Sequence, residues 1–157
     1  MSDTEIKIKP QTPQAPALEV SFPNLVFDHK ISIFDTKNWI LKGNWKTFSK
    51  APWGGTKTVD QSKYAEKAGD ELEFTFEGTG ITLMGNWVKD AGKADVYLDG
   101  KLHRTIDSYY NWNNQEHHDI NLWHAFNLQP GKHTVKVLVK GEKRPESWVP
   151  GFMLPKL

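Results

Sequence analysis

The chain of 157 residues contains no cysteine, so disulfide bonds and thiolate chemistry play no part in its stability or function. It also lacks an apolar run approaching the ~20 residues of a transmembrane helix, and its first residues have no apolar signal-peptide core. The charges nearly balance, with 20 Lys and Arg against 19 Asp and Glu, and the basic residues are dispersed among the acidic ones. From these absences we expect neither a membrane partner nor a nucleic-acid partner.

Motifs of the common enzyme classes are also missing. There is no Gly-x-Ser-x-Gly, no phosphate-binding loop and no His-Glu-x-x-His. Adjacent His117 and His118 would point to opposite faces of a strand, and no third ligand lies at the spacing of a zinc site, so we expect no zinc. The sequence leaves a structural calcium site open as a hypothesis. No contiguous loop has alternating oxygen ligands, but carboxylates and carbonyls near Asp28, Asp35 or Asp60 could contribute them. We expect no other cofactor.

The hydrophobic pattern continues without an internal break and predicts a single domain over residues 23–157. Residues 1–22 carry Pro10, Pro13 and Pro16 among polar residues, a composition typical of an extended linker or tail.

The clearest β pattern runs from Glu71 to Lys101. Apolar residues from Leu72 to Phe76 alternate with polar ones, which predicts a strand with one buried face. Glycines at 78 and 80 predict a hairpin to the next strand, and Asp99-Gly100 predicts a second hairpin because that turn needs positive φ. The residues predicted to face the core are Leu72, Phe74, Phe76, Ile81, Leu83, Val96, Leu98, Val135 and Val137.

The rest of the chain has short apolar alternations separated by turn residues and no helical period. Residues 31–33 are predicted to be β, and residues 61–69 to be a polar connection. Arg104 lies on the apolar face of the strand predicted for residues 102–106, which indicates a bulge or a sheet edge. Many short strands at this spacing predict an all-β fold, an antiparallel β-sandwich of the jelly-roll kind.

Consecutive antiparallel strands begin at alternating ends, so every second connection lies at the same end of a sandwich. The tight glycine turns then share one end, and the longer connections at residues 86–92, 108–118 and 141–147 share the other. These longer connections hold aromatic, amide and charged residues, which suit a pyranose with an apolar face and a hydroxyl rim. The predicted ligand-binding residues are Trp87, Lys89, Tyr110, Trp112, Asn113, His117, His118, Arg144 and Trp148.

Three runs of the sequence carry a family resemblance: FTFEGTGITLMG, GKADVYLDGK and LQPGKHTVKVLVKGEKRPES. From about Gly43 to the C-terminus, the chain resembles the galactose-binding-like β-sandwiches found as carbohydrate-binding modules and accessory domains beside bacterial polysaccharide-degrading enzymes. The resemblance implies sugar binding through loops at one end, a structural calcium in some members, and a secreted parent protein.

Three functions follow as hypotheses. The first is a non-catalytic module that binds a plant or algal polysaccharide through the aromatic loops. The second is an accessory domain whose aromatic residues pack against a catalytic neighbour without binding sugar. The third is a glycoside hydrolase or polysaccharide lyase, since fold alone does not exclude catalysis.

Overall fold

The computed structural model describes residues 29–50, 60–113, 117–147 and 152–155. Within these ranges there is no helix, and hence none long and apolar enough to cross a membrane. Met1–Lys30 and Ile31–Leu157 separate into two units. The predicted linker at residues 1–22 lies outside the described residues. The strands are β1 (Trp39–Lys42), β2 (Lys46–Lys50), β3 (Asp60–Ala65), β4 (Glu71–Gly78), β5 (Ile81–Trp87), β6 (Lys93–Leu98), β7 (Lys101–Asp107), β8 (His117–Ala125), β9 (Gly131–Val139) and β10 (Phe152–Pro155).

The strands form two layers. One layer is an antiparallel five-stranded sheet with the order β1-β4-β9-β6-β7. The other contains the three-stranded sheet β10-β3-β2 and the pair β5-β8, with β10 in contact with β5. Apolar side chains from both layers meet in one core, so the predicted all-β antiparallel sandwich is confirmed.

The core contains the residues that the strand alternation selected. Six of the nine predicted core residues are buried, namely Leu72, Phe74, Leu83, Val96, Val135 and Val137. The other three, Phe76, Ile81 and Leu98, are partly buried and pack against the core. Trp123 of β8 and Phe152 of β10 complete it from the second layer. Alternation found these residues because each strand has one face towards the opposite layer.

The two predicted hairpins have different outcomes. The Asp99-Gly100 turn joins β6 to β7 as predicted, with φ of 49° and 81° at its two central residues. The predicted hairpin through residues 78–80 is wrong, because β4 pairs with β1 and β9 whereas β5 pairs with β8. The chain crosses between layers at this point. A Cβ on Gly80 would lie 3.0 Å from the Phe126 ring, so glycine serves a close approach here.

Two further predictions need correction, and one is confirmed. Residues 60–65 form β3 instead of a polar connection: they pair with β2 on one side and with β10 on the other, and Ser62 and Ala65 are buried. Residues 31–33 form no strand, although Ile33 is buried in the core. The anomaly at Arg104 is a bulge on an edge strand: Val96 pairs with Arg104 and Tyr97 with Leu102, leaving His103 as the extra residue.

Candidate functional site

The three longer connections meet at one end of the sandwich. Val88 N–H donates to the Ser108 carbonyl at 3.1 Å, and Tyr110 N–H donates to the Val88 carbonyl at 3.0 Å. The Ser147 hydroxyl donates to the Ala91 carbonyl at 2.7 Å, which attaches the third connection to the first. Strand parity therefore located these connections correctly, and the backbone bonds fix their relative positions.

Three aromatic rings form a row at this end. Trp87, the last residue of β5, stacks on Tyr110 with ring centroids 5.9 Å apart and planes 16° apart. Tyr110 meets His117 edge to face at 4.7 Å, and His117 is the β8 partner of Trp87 in the strand register. The sequence therefore brings these predicted residues into contact. Trp87 is still 38% exposed, so much of its indole stays accessible beyond the stacked face.

A cavity of about 230 Å³ opens beside the indole of Trp87. Its walls come from the end of β5, the edge strand β7 and the neighbouring strand β8. The lining residues are Trp87, Arg104, Thr105, Ile106, Asp107 and Leu122. An apolar ring, two aliphatic side chains and three polar side chains border the same space, so the cavity offers both apolar contact and hydrogen-bonding groups.

Asp107 fixes the loop that follows β7. Its Oδ1 accepts from Tyr109 N–H at 3.0 Å, and its Oδ2 accepts from Arg144 Nε at 2.6 Å. The guanidinium of Arg144 also lies 5.7 Å from the centre of the Tyr109 ring. The hydrogen bond and the charge of Asp107 together raise the pKa of Arg144 above its ordinary value. Arg144 thus bridges the third connection to β7, and its Nε is already occupied.

The remaining predicted residues are less closely grouped. Trp112 is 71% exposed, and Asn113 adopts a left-handed conformation with φ of 53°. The Lys89 carbonyl accepts from the Ser147 hydroxyl at 3.2 Å, which places its backbone in the same loop cluster. His118 lies in β8, but its side chain is not described, and Trp148 lies outside the described residues.

Sequence reasoning missed most of the cavity. The lining residues Arg104, Thr105, Ile106 and Asp107 belong to β7, whose sequence predicts a strand and no site, and Leu122 belongs to β8. One signal was available: Arg104 stood on the apolar face of its strand. A cationic residue in that position indicates either an edge strand or a polar site beside the strand. Both hold for Arg104, since β7 is an edge strand and Arg104 lines the cavity.

A second hollow, of about 300 Å³, lies at the turns before β2 and after β3. It is lined by Asn44, Lys46, Tyr64, Glu66, Lys67 and Asp70. Lys46 Nζ lies 5.8 Å from the centre of the Tyr64 ring and so occupies the space over that ring. The carboxylate of Asp70 is held by the backbone N–H groups of Asn44 and Lys67. These contacts are structural.

In the described part of the chain, no three His, Asp or Glu side chains come together in a group that could hold a metal ion. His133 of β9 is hydrogen-bonded through both ring nitrogens. Nδ1 lies 2.7 Å from Asp99 Oδ2, and Nε2 lies 2.7 Å from the Gln129 carbonyl. These two contacts, Asp99 first, raise the pKa of His133. The residue lies among the tight turns at the other end of the sandwich.

No protein-family model matches the chain. Over 96 residues, which are 61% of this chain, it is 29% identical to the A type blood alpha-D-galactosamine galactosaminidase of Flavonifractor plautii. Over 99 residues, or 63% of this chain, it is 30% identical to the A type blood N-acetyl-alpha-D-galactosamine deacetylase of the same organism. The matched segments are only 8% and 12% of those two proteins, so the chain spans about a tenth of their length.

Among solved structures, a Paenibacillus xanthan lyase contains a similar fold. The similarity covers 74% of this chain and 11% of the lyase, with a TM-score of 0.51 and 11% sequence identity. At this identity the similarity concerns the fold. All three proteins are carbohydrate-active enzymes, and in each the similar part is a small share of the whole.

Proposed function

We propose that this chain is a non-catalytic carbohydrate-binding module of the galactose-binding-like type. It would belong to a larger, secreted glycan-active protein. The observation that carries the proposal is the exposed indole of Trp87 at the wall of a cavity that is also lined by polar side chains. A pyranose needs this combination, because its apolar face stacks on a ring while its rim of hydroxyls needs hydrogen-bonding groups.

The site is supported by a rigid framework. Tyr110 backs the indole on one side, and the cavity floor is built from β7 and β8 instead of from loops alone. Binding residues held by strands lose little conformational freedom when a ligand arrives. Trp112, exposed in the neighbouring connection, would extend the apolar surface for a second sugar unit of a polysaccharide.

The comparisons support the carbohydrate role and a position beside other domains. The two sequence relatives are enzymes named for galactosamine-containing substrates, and the matched region is about a tenth of each. A segment this small and without a helix in its described part suits an appended module. The module would then bring a neighbouring catalytic domain to its polysaccharide and add avidity to that domain's own binding.

The test is a panel of immobilised plant, algal and animal polysaccharides presented to the pure chain and to two variants. We expect a glycan bound at high-micromolar to millimolar affinity, about −4 to −6 kcal/mol, as befits a shallow site. Trp87→Ala should abolish binding, whereas Ile40→Ala should keep it. Ile40 is a matched control, since it is 54% exposed on β1 at the opposite edge of the five-stranded sheet.

Two results would overturn the proposal. If no glycan in a broad panel binds the folded parent, the exposed aromatic side chains serve an interface and the accessory-domain hypothesis replaces the module. If the pure chain depolymerises any of the polysaccharides, it has a catalytic site of its own.

A further inference from the structure

Among the described residues, Arg104 is the one cationic residue that lines the Trp87 cavity. No hydrogen bond or ion pair joins its guanidinium to another residue in the described ranges, unlike Arg144 in the adjoining loop. An arginine side chain carries five N–H donors in a planar fork, and its charge persists throughout the physiological pH range. Within the described part of the chain, these donors are unused and lie beside the stacking ring.

The cavity's carboxylate does not neutralise Arg104. Both oxygens of Asp107 are engaged, one by the Tyr109 amide and the other by Arg144. Arg144, from the adjoining loop, thus neutralises the negative charge of Asp107, and the positive charge of Arg104 has no described counter-charge. From the lining residues that the structure describes, a ligand in this cavity meets a net positive charge of one arginine.

The β-bulge holds Arg104 in this position. His103, the extra residue, accepts a hydrogen bond at Nδ1 from the buried Trp123 indole at 2.9 Å. The two rings also meet edge to face at 5.3 Å. This contact ties edge strand β7 to β8 directly before Arg104, so the residue that lines the cavity is anchored by its neighbour.

We propose that the cavity recognises a uronic acid residue, with the sugar ring against Trp87 and the carboxylate on the guanidinium of Arg104. The inference rests on the proposed carbohydrate-binding function and adds the chemical class of the sugar. A carboxylate fits because its two oxygens match the arginine fork in a bidentate pair, and because its negative charge would balance the charge of Arg104, which no described residue pairs.

The experiment compares polysaccharides that differ only in charge. The probes are polygalacturonate and hyaluronan, each as the sodium salt, with its carboxylates ionised, and as its methyl ester, with neutral mannan and xylan alongside. We expect at least one acidic polysaccharide to bind and its ester to bind about tenfold more weakly or worse, since one charge-assisted contact is lost. Added salt should weaken binding of the acid more than that of the ester.

Three variants assign the effect to Arg104. Arg104→Gln should lower affinity for the acid to that of its ester and leave the ester unchanged. Arg104→Lys should restore only part of the loss, because a point charge lacks the fork. Lys101→Gln is the matched control: it removes the same charge from an exposed position on the same strand, at the far end of the sandwich.

The outcomes separate this inference from the proposed function. If a neutral glycan binds through Trp87 and no acid is preferred, the module stands and the uronate inference fails. The inference also fails if an acid binds equally well to Arg104→Gln. If neither acid nor neutral glycan binds the parent, both fail together.

Discussion

Replacing Phe74 with alanine removes a ring that is only 4% exposed on β4, an interior strand of the five-stranded sheet. The ring lies 4.7 Å from that of Trp39 on β1 and 6.2 Å from that of Phe76 along β4, and its β9 partner is Val135. A buried aromatic side chain removes about 150–250 Å² from water, which sets an upper limit of about 4–6 kcal/mol at 25 cal/mol per Å². Partial collapse of the space left by the ring lowers this limit, so we expect the free energy of unfolding to fall by about 3–5 kcal/mol.

The assay is urea unfolding followed by fluorescence, with the parent and the variant fitted to a common slope. Ile40→Ala is the control, because this β1 residue is more than half exposed and its truncation should cost less than about 1 kcal/mol. A loss below about 1 kcal/mol for Phe74→Ala would mean that the strand faces the other way. A changed slope would mean that the variant no longer unfolds in two states.

Three other changes have defined outcomes. The pKa of His133 is raised in the folded protein, so its contribution to folding stability is fully present below pH 6.5 and is lost as the pH rises through the raised pKa. The pKa of Asp99 is lowered, so its contribution to stability is fully present above pH 3.8 and is lost as the pH falls through the lowered pKa. His133→Gln should therefore reduce the melting temperature more at about pH 5 than at about pH 9, and an equal reduction at both would refute the ion pair. Trp112→Ala should leave the melting temperature within a few degrees and weaken glycan binding, because the side chain is largely exposed; an unfolded variant would make Trp112 a core residue. Deleting Met1–Ala17 should change the melting temperature by no more than a few degrees, since the segment's composition offers little to bury, and a larger fall would show a docked strand.

The sequence predicted the features that depend on neighbours along the chain. Alternation from Leu72 to Phe76 identified the buried face of β4 because a strand exposes successive side chains to opposite sides. Asp99-Gly100 identified its hairpin because few residues accept the required φ. Parity then placed the longer connections at one end without any knowledge of sheet order, since it requires only that successive strands alternate in direction.

Features that depend on distant segments could not be predicted. The pairing of β4 with β9, and not with β5, joins segments about 60 residues apart, and no local signal distinguishes it from a hairpin. The segment DQSKYA gave no signal for β3, because its buried residues, Ser62 and Ala65, are small and do not form an apolar alternation. Arg104 was recognised as anomalous, but its place in the cavity depends on the bulge at His103 and on the position of β8.

The most direct test of the central claim uses the indole N–H signals of the seven tryptophans in a heteronuclear NMR titration. Each signal is assigned by a single Trp→Phe variant, and the titrant is whichever polysaccharide fragment the panel identifies. Trp87 should shift in a saturable manner with the ligand. Trp45 and Trp123 should not, because their indoles already donate to the Glu71 carbonyl and to His103 inside the fold. Saturable binding with an unmoved Trp87 signal, or shifts confined to Trp45 or Trp123, would contradict a sugar site at the end of β5.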